Sequence, residues 1–506
     1  MSTLSIDNSE LVPSEAQRAP RNGSQLSVRG QFTLISTLAA YLAMLLVGIA
    51  HHEPWADEAH AWLLSRDLGY RYLVFHQLAY EGHPPLWGTI LWIAIHWFHL
   101  PYQALGWIGG VCALAGCWFF CRYSPFPLFV RVLFPFTYFM AYQYAIVARP
   151  YVLLPLCVFA AAHFFTDADR RPWRFVAAVS AAVLLCAPGV MFAVGLVAAR
   201  AWYTFRGWRG IPLRDRKRLI AAGLVFAMVC AFVAYVNWPP ADRVNGRFDR
   251  PVRSVNSAGH SGVTALPDEI AVGFFGSATP SVAFLVVVGA WCAYRRRLLP
   301  LVLPAALLLT FFLKVYGNLW HLGALTLIVV SAFWIAWPRN GREIVNPKLE
   351  NALNAIVLVG LAGLFAVQIY WTARTLAMDY SRPYSGSLDA AKFLRSVGAD
   401  ASTTCGFGFH SSAIQPYFRE SIFGNWPKGE SFWRFEKGNH DDQSCSWPKR
   451  VVLPRCCTFD TAKQDFYKND LQLRSWGYRP VHISRGSMFF EGYEAEPNDF
   501  VIYEAQ

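Results

Sequence analysis

The chain has 506 residues, 55% of them hydrophobic, 16% aromatic and only 15% charged, and its mean hydropathy is +0.28. A soluble domain carries roughly a quarter charged residues, so the deficit excludes a disordered chain and a coiled coil. The net charge of +12 invites a nucleic-acid reading. The excess sits in short clusters between apolar runs, however, which is how a polytopic membrane protein carries charge, and nucleic acid is excluded as a partner.

Met1 to about Gly30 is polar, rich in Ser, Pro and Arg, and reads as a disordered cytoplasmic tail. Phe32–Ala50 is about a bilayer wide, and the tail before it is too long for a cleaved signal peptide, so it reads as a retained span. Further apolar runs are centred near Ala94, Val111, Phe136, Val158, Leu184, Leu196, Ala227, Val287, Leu307, Leu327 and Leu361. Leu86–Leu100 is short, Trp-rich and interrupted by His96, the pattern of an interfacial helix. If it lies on the outer surface, then Arg122, Arg131, Arg170, Arg171, Arg174, the basic run Arg206–Arg218, Arg295–Arg297, Arg339 and Arg342 all face the cytoplasm. If it crosses, all of them flip outward. The positive-inside rule selects the first arrangement, with about eleven spans, the N-terminus inside and the C-terminus outside.

The predicted class is therefore an α-helical polytopic protein of the plasma (bacterial inner) membrane. Residues 31–379 form the transmembrane domain, with a first outer loop at 51–102. Residues 380–506 form a small extracytoplasmic α/β domain. Leu388–Val397 and Thr461–Trp476 read as its helices, and Arg450–Leu453, Pro480–Ser484 and Phe500–Glu504 as its strands. Seven of the eleven cysteines lie in apolar runs. Cys405, Cys445, Cys456 and Cys457 fall in the outer domain, where an oxidising compartment allows one or two disulfides, and the pairing stays open beside four free thiols.

Polar clusters gather at the predicted outer edges. The densest is His51-His52-Glu53-Pro54-Trp55-Ala56-Asp57-Glu58-Ala59-His60. Adjacent carboxylates at a membrane edge are costly unless used, and one of them suits a general base while the other orients an acceptor or a cation. The bland alternative is a helix N-terminus enriched in acids. Tyr80-Glu81-Gly82-His83-Pro84-Pro85-Leu86 opens the interfacial helix and sets His83 beside exposed N–H groups, a phosphate-facing position. Arg149, in Val147-Ala148-Arg149-Pro150-Tyr151, is a lone cation between apolar spans and suits an anion, since a guanidinium grips phosphate bidentately. Lys314 and His321 occupy a further outer edge, where snorkelling explains the lysine equally well. His51, His52, His60, His76 and His83 match no zinc signature.

These residues resemble the GT-C class of lipid-phosphate-sugar-dependent glycosyltransferases. The nearest branch holds the protein O-mannosyltransferases and bacterial aminoarabinose transferases, glycosyltransferase family 39 and its relatives. The resemblance rests on Asp57-Glu58, on His83-Pro84-Pro85-Leu86 and on the Arg-bearing second outer loop, over about residues 32–173. It implies a GT-C-like membrane fold, Asp57 as base and an interfacial helix opening at Leu86. In the family a lysine precedes Pro-Pro-Leu and faces the lipid phosphate, whereas here His83 makes that charge conditional on pH. Many relatives hold an acid where Arg149-Pro150-Tyr151 stands, and an arginine where Trp320 precedes His321.

The expected activity is inverting transfer of a hexose or pentose from a polyprenyl-phosphate donor to an acceptor hydroxyl on a glycan, lipid or protein. Asp57 takes the hydroxyl proton and Glu58 positions Asp57 or the acceptor. Arg149 and His83 hold the donor phosphate with Lys314 or His321, and Tyr151 and Trp55 stack on sugar. No metal ligand set is assigned, and a divalent cation stays open. The rival reading is a transporter or flippase of lipid-linked glycan, which predicts charges deep within the spans. A third reading, an anchor for an outer glycan-binding domain, does not require about eleven spans.

Overall fold

The computed structural model describes residues 27–243, 266–315, 317–337, 347–437, 448–456 and 460–506. The chain is mostly helical. Helix α1 (Val28–His51) starts at Ser27, whose side chain accepts from the Gly30 amide at 3.2 Å, satisfying one of the first-turn donors. It stops at His51, three residues before Pro54. Helix α2 (Ala56–Asp67) follows, then a bent stretch through Glu81, then α3 (Leu86–His96). Eleven residues make α3 about 17 Å long, short of a hydrocarbon core of about 30 Å. Its polar side chains fasten it to the end of α2 instead, Trp92 donating to the Leu68 carbonyl at 3.1 Å and His96 meeting the Ser65 carbonyl at 3.0 Å.

Helix α4 (Ala104–Tyr123) packs beside α1, and α5 (Leu154–Phe165) packs on α4. Between them the expected span near Phe136 is not one continuous helix. It runs as Leu128–Leu133, a tight turn Phe134–Phe136, a wide turn Phe139–Gln143 and then extended backbone at Arg149. Pro135 has no N–H to continue the ladder and crowds the preceding turn. Carbonyls freed by the break are taken up by other helices' side chains: Tyr41 donates to Met140 at 2.6 Å and Thr372 to Phe136 at 2.9 Å. Residues 138–142 are buried throughout. Hydropathy reports that such a segment is apolar, not that it is continuous.

The remaining helices are α6 (Pro172–Val183), α7 (Ala187–Arg206), α8 (Leu213–Val236), α9 (Leu266–Phe274), α10 (Ala278–Tyr294), α11 (Leu299–Lys314), α12 (Gly323–Ala336) and α13 (Pro347–Ser381). Among the described residues, five helical segments are long and apolar enough to cross a membrane: Val28–His51, Ala104–Tyr123, Leu213–Val236, Leu319–Ala336 and Lys348–Ser381. Shorter apolar helices fill the bundle between them.

The C-terminal region begins with α14 (Ser387–Ser396) and carries a sheet of β1 (Thr404–Gly406), β2 (Arg450–Cys456), β3 (Tyr478–Ser484), β4 (Ser487–Phe490) and β5 (Tyr493–Ala505), with α15 (Asp460–Ser475) between β2 and β3. The order is β1-β2-β5-β3, with β4 also on β5; only β1 and β2 run parallel. Val451, Val452 and Leu453 face Tyr503, Ile502 and Val501 across the β2–β5 ladder, and all six are buried. The expected strands at 450–453, 480–484 and 500–504 lie within β2, β3 and β5. Cys405 in β1 is disulfide-bonded; Cys445 and Cys457 lie outside the described residues.

This region rests on the end of the bundle where α1 and α13 terminate. The Glu53 carboxylate accepts from the Leu388 amide at 2.5 Å and the Ser387 hydroxyl at 3.0 Å. Arg66 donates to the Phe418 carbonyl at 3.0 Å, and Phe490 at the tip of β4 meets the ring of Tyr138 at 5.3 Å.

Candidate functional site

The first turn of α2 sits directly over the end of α1. Successive helical residues diverge by about 100°, so Asp57 and Glu58 part company at once. Glu58 turns inward and is wholly buried. Its carboxylate accepts from the Trp55 amide at 3.2 Å and the Ala148 amide at 2.6 Å, and meets His52 Nε2 at 3.1 Å. Glu58, expected to position Asp57 or the acceptor, holds in this structure the backbone immediately before Arg149.

Asp57 turns the other way, stays about a quarter exposed, and pairs with Arg149 Nη2 at 2.7 Å. Pro150 bars the residue before it from helical backbone. Arg149 is accordingly extended (φ −118°, ψ 171°), and its side chain points back towards the first loop. The guanidinium carbon lies 5.1 Å from the ring centre of Trp320, 5.4 Å from Tyr151 and 5.6 Å from Trp55. A cation between three rings in a site this dry is held by their negative faces without its hydrogen-bonding edge being consumed by them. Tyr151 and Trp55, expected to stack on sugar, both lie against Arg149.

His321 is buried at the entry to α12, its ring 5.4 Å from that of Tyr151. His83 follows Gly82, whose positive φ of 73° turns the chain out of the preceding helix. Burial, and then the Arg149 charge, hold the His83 imidazole below its ordinary value; Glu81 and Asp57 pull weakly the other way. Lys314 does not join this group: it is exposed at the last turn of α11 and forms no ion pair among the described residues. Beyond Asp57 on α2, His60 meets the Glu81 carboxylate at 2.9 Å, and Gln77 donates to the same group at 3.2 Å. Among the described residues no three His, Cys, Asp or Glu side chains converge as a metal site.

One participant was not singled out from sequence. Asp379, near the C-terminus of α13, meets His52 Nδ1 at 2.9 Å and accepts from the Tyr142 hydroxyl at 2.9 Å. A lone acid at the end of a long apolar span was the available signal. Burial alone would lower the His52 pKa, but Asp379 and then Glu58 push it up to about 10, which favours the imidazolium form.

No protein-family model matches the sequence, and no curated protein matches it. The structure is nevertheless similar to the crystal structure of ArnT from Cupriavidus metallidurans bound to undecaprenyl phosphate, with a TM-score of 0.52 over 94% of this chain and 98% of that one, at 13% identity. The fold is ArnT-like. Similarity along nearly the whole of both chains takes in the bundle, the first loop and the C-terminal region together. The ArnT-like fold agrees with the resemblance read from Asp57-Glu58 and His83-Pro84-Pro85-Leu86.

Proposed function

We propose that this chain is an inverting membrane glycosyltransferase that moves a sugar from a polyprenyl-phosphate donor to an acceptor hydroxyl. The observation that carries the reading is the Asp57–Arg149 pair at 2.7 Å, enclosed by three rings at one end of an ArnT-like bundle. The solved ArnT structure holds undecaprenyl phosphate, a ligand of the same chemical class as the proposed leaving group.

In the proposed reaction the acceptor oxygen attacks the anomeric carbon and gives its proton to Asp57. The bond from that carbon to the phosphate oxygen breaks, and the electron pair leaves with the lipid phosphate. Arg149 lies beside Asp57 and stabilises the departing anion, which needs no proton to leave. His83 and His321 border the same space. The described buried charges around Arg149 gather at one end of the bundle rather than along a path through both leaflets, which favours transfer over flipping.

The membrane region is assigned to residues 31–379, with about eleven spans, and the C-terminal region to residues 380–506 outside the cytoplasm. Two facts support that side: the basic clusters select it, and a disulfide-bonded Cys405 suits an oxidising compartment.

The test is transfer by purified protein from a panel of polyprenyl-phosphate sugars. Asp57→Asn is expected to cut the rate by about a hundredfold or more, the contribution of a general base, with the protein still folded in detergent. A variant that keeps more than about a tenth of the wild-type rate removes Asp57 as the base.

A further inference from the structure

The chain Tyr142–Asp379–His52–Glu58–Ala148 joins the two ends of the site, and the transfer chemistry leaves it without a task. His52 and Asp379 have side chains 3% exposed and Glu58 is fully buried. Linked in space through these contacts stand three carboxylates, Asp57, Glu58 and Asp379, and two cations, Arg149 and His52. In so dry a place Coulomb attraction draws Arg149 towards any carboxylate within its reach.

We propose that His52 is a positioning residue that divides these carboxylates, engaging Glu58 and Asp379 so that Arg149 is reserved for Asp57 and for an incoming phosphate. The inference rests on the glycosyl-transfer reading for its ligand. Its geometry is already complete: His52 spends Nε2 on Glu58 at 3.1 Å and Nδ1 on Asp379 at 2.9 Å. Glu58 in turn holds the amide of Ala148 at 2.6 Å, one residue before Arg149. The aromatic ring of Tyr384, 4.7 Å away, and that of Tyr142, 6.2 Å away, flank the imidazolium. Withdrawing its charge leaves Glu58 and Asp379 facing each other, and Arg149 becomes the nearest relief for Glu58.

The experiment uses the full chain in detergent and undecaprenyl phosphate as probe, with a melting temperature for every variant. His52→Gln is expected to weaken lipid binding about tenfold, the worth of one charge-assisted contact. His52→Gln combined with Glu58→Gln removes one charge of each sign and is expected to restore affinity to within about threefold, even though it melts below wild type. Asp379→Asn leaves His52 wholly to Glu58. It is expected to lower the melting temperature while keeping affinity within about threefold. A merely structural His52 would make affinity follow melting temperature in all three. Wild-type affinity in His52→Gln, no recovery in the double variant, or a tenfold loss in Asp379→Asn each overturns the proposal.

A structure of His52→Gln reads the same point without lipid. Arg149 moved from Asp57 onto Glu58 supports it, and Arg149 still on Asp57 overturns it. A wild type that fails to bind undecaprenyl phosphate would instead overturn the proposed function.

Discussion

Arg149 answers to two demands, an ion pair with Asp57 and a place among Trp55, Tyr151 and Trp320. Arg149→Lys keeps the charge but loses the planar fork and the flat cation that lies among the rings. Loss of such a contact costs about 1.5–3 kcal/mol, so affinity for undecaprenyl phosphate is expected to fall tenfold or more. The melting temperature without lipid is expected to change little, because a lysine ammonium can still pair with Asp57. Unchanged affinity with a lower melting temperature would make Arg149 a loop fastener only. His83 offers a second test. Its pKa is held below the ordinary value by burial and Arg149, and a bound phosphodiester would draw the proton back. Donor affinity is expected to rise as pH falls from 8 to 6, and His83→Gln is expected to lose that dependence. The residues that could be read in sequence were those whose oddity is local: an acid pair at a membrane edge, and an arginine between apolar runs. His52 and Asp379 are separated by 327 positions, so their pairing has no local pattern to read.

Among the elements, α14 depends on a residue far outside itself. Its Leu388 amide and Ser387 hydroxyl are met by Glu53, whose carboxyl burial raises to about 7 despite the pull of Leu388, Ser387 and His52. A carboxyl raised in the folded state lends stability that is complete below its ordinary value of 4.5 and is lost as pH rises to about 7. Thermal stability is therefore expected to decline from pH 5 to 7.5. In Glu53→Gln, whose amide oxygen accepts the same two bonds without charge, the decline is expected to flatten, with the variant melting above wild type at pH 8. A variant that melts lower there would show the ionised cap to be favourable. The helices and main strands were legible because their apolar periods are regular. The broken segment around Pro135 was not, because a run of apolar residues reads alike whether its backbone is whole or interrupted.

For the whole molecule, the shared end of the bundle was legible from the distribution of arginine alone, while the strand order of the sheet was not, since β5 pairs with partners scattered over about forty residues of sequence. Orientation can be measured directly, because the seven free cysteines among the described residues are buried or half-buried. Cysteine replacing the exposed Leu471 is expected to react with an impermeant maleimide on intact cells above the wild-type background. Cysteine replacing the exposed Arg209 is expected to stay unlabelled until the membrane is opened. Labelling at position 209 together with none at position 471 would mean that α3 crosses the bilayer, so that the first loop and Arg149 would no longer share a side.

The place of β5 at the centre of the sheet has a consequence for biosynthesis. β2, β3 and β4 all pair with it, and β1 is reached only through β2, yet β5 follows all four in the chain. A ribosome that stalls before Tyr493 has already released every helix of the bundle, but the sheet has nothing to close upon. Phe490 then lacks the hairpin that seats it against Tyr138. Closure of the sheet therefore waits on the last strand to be synthesised.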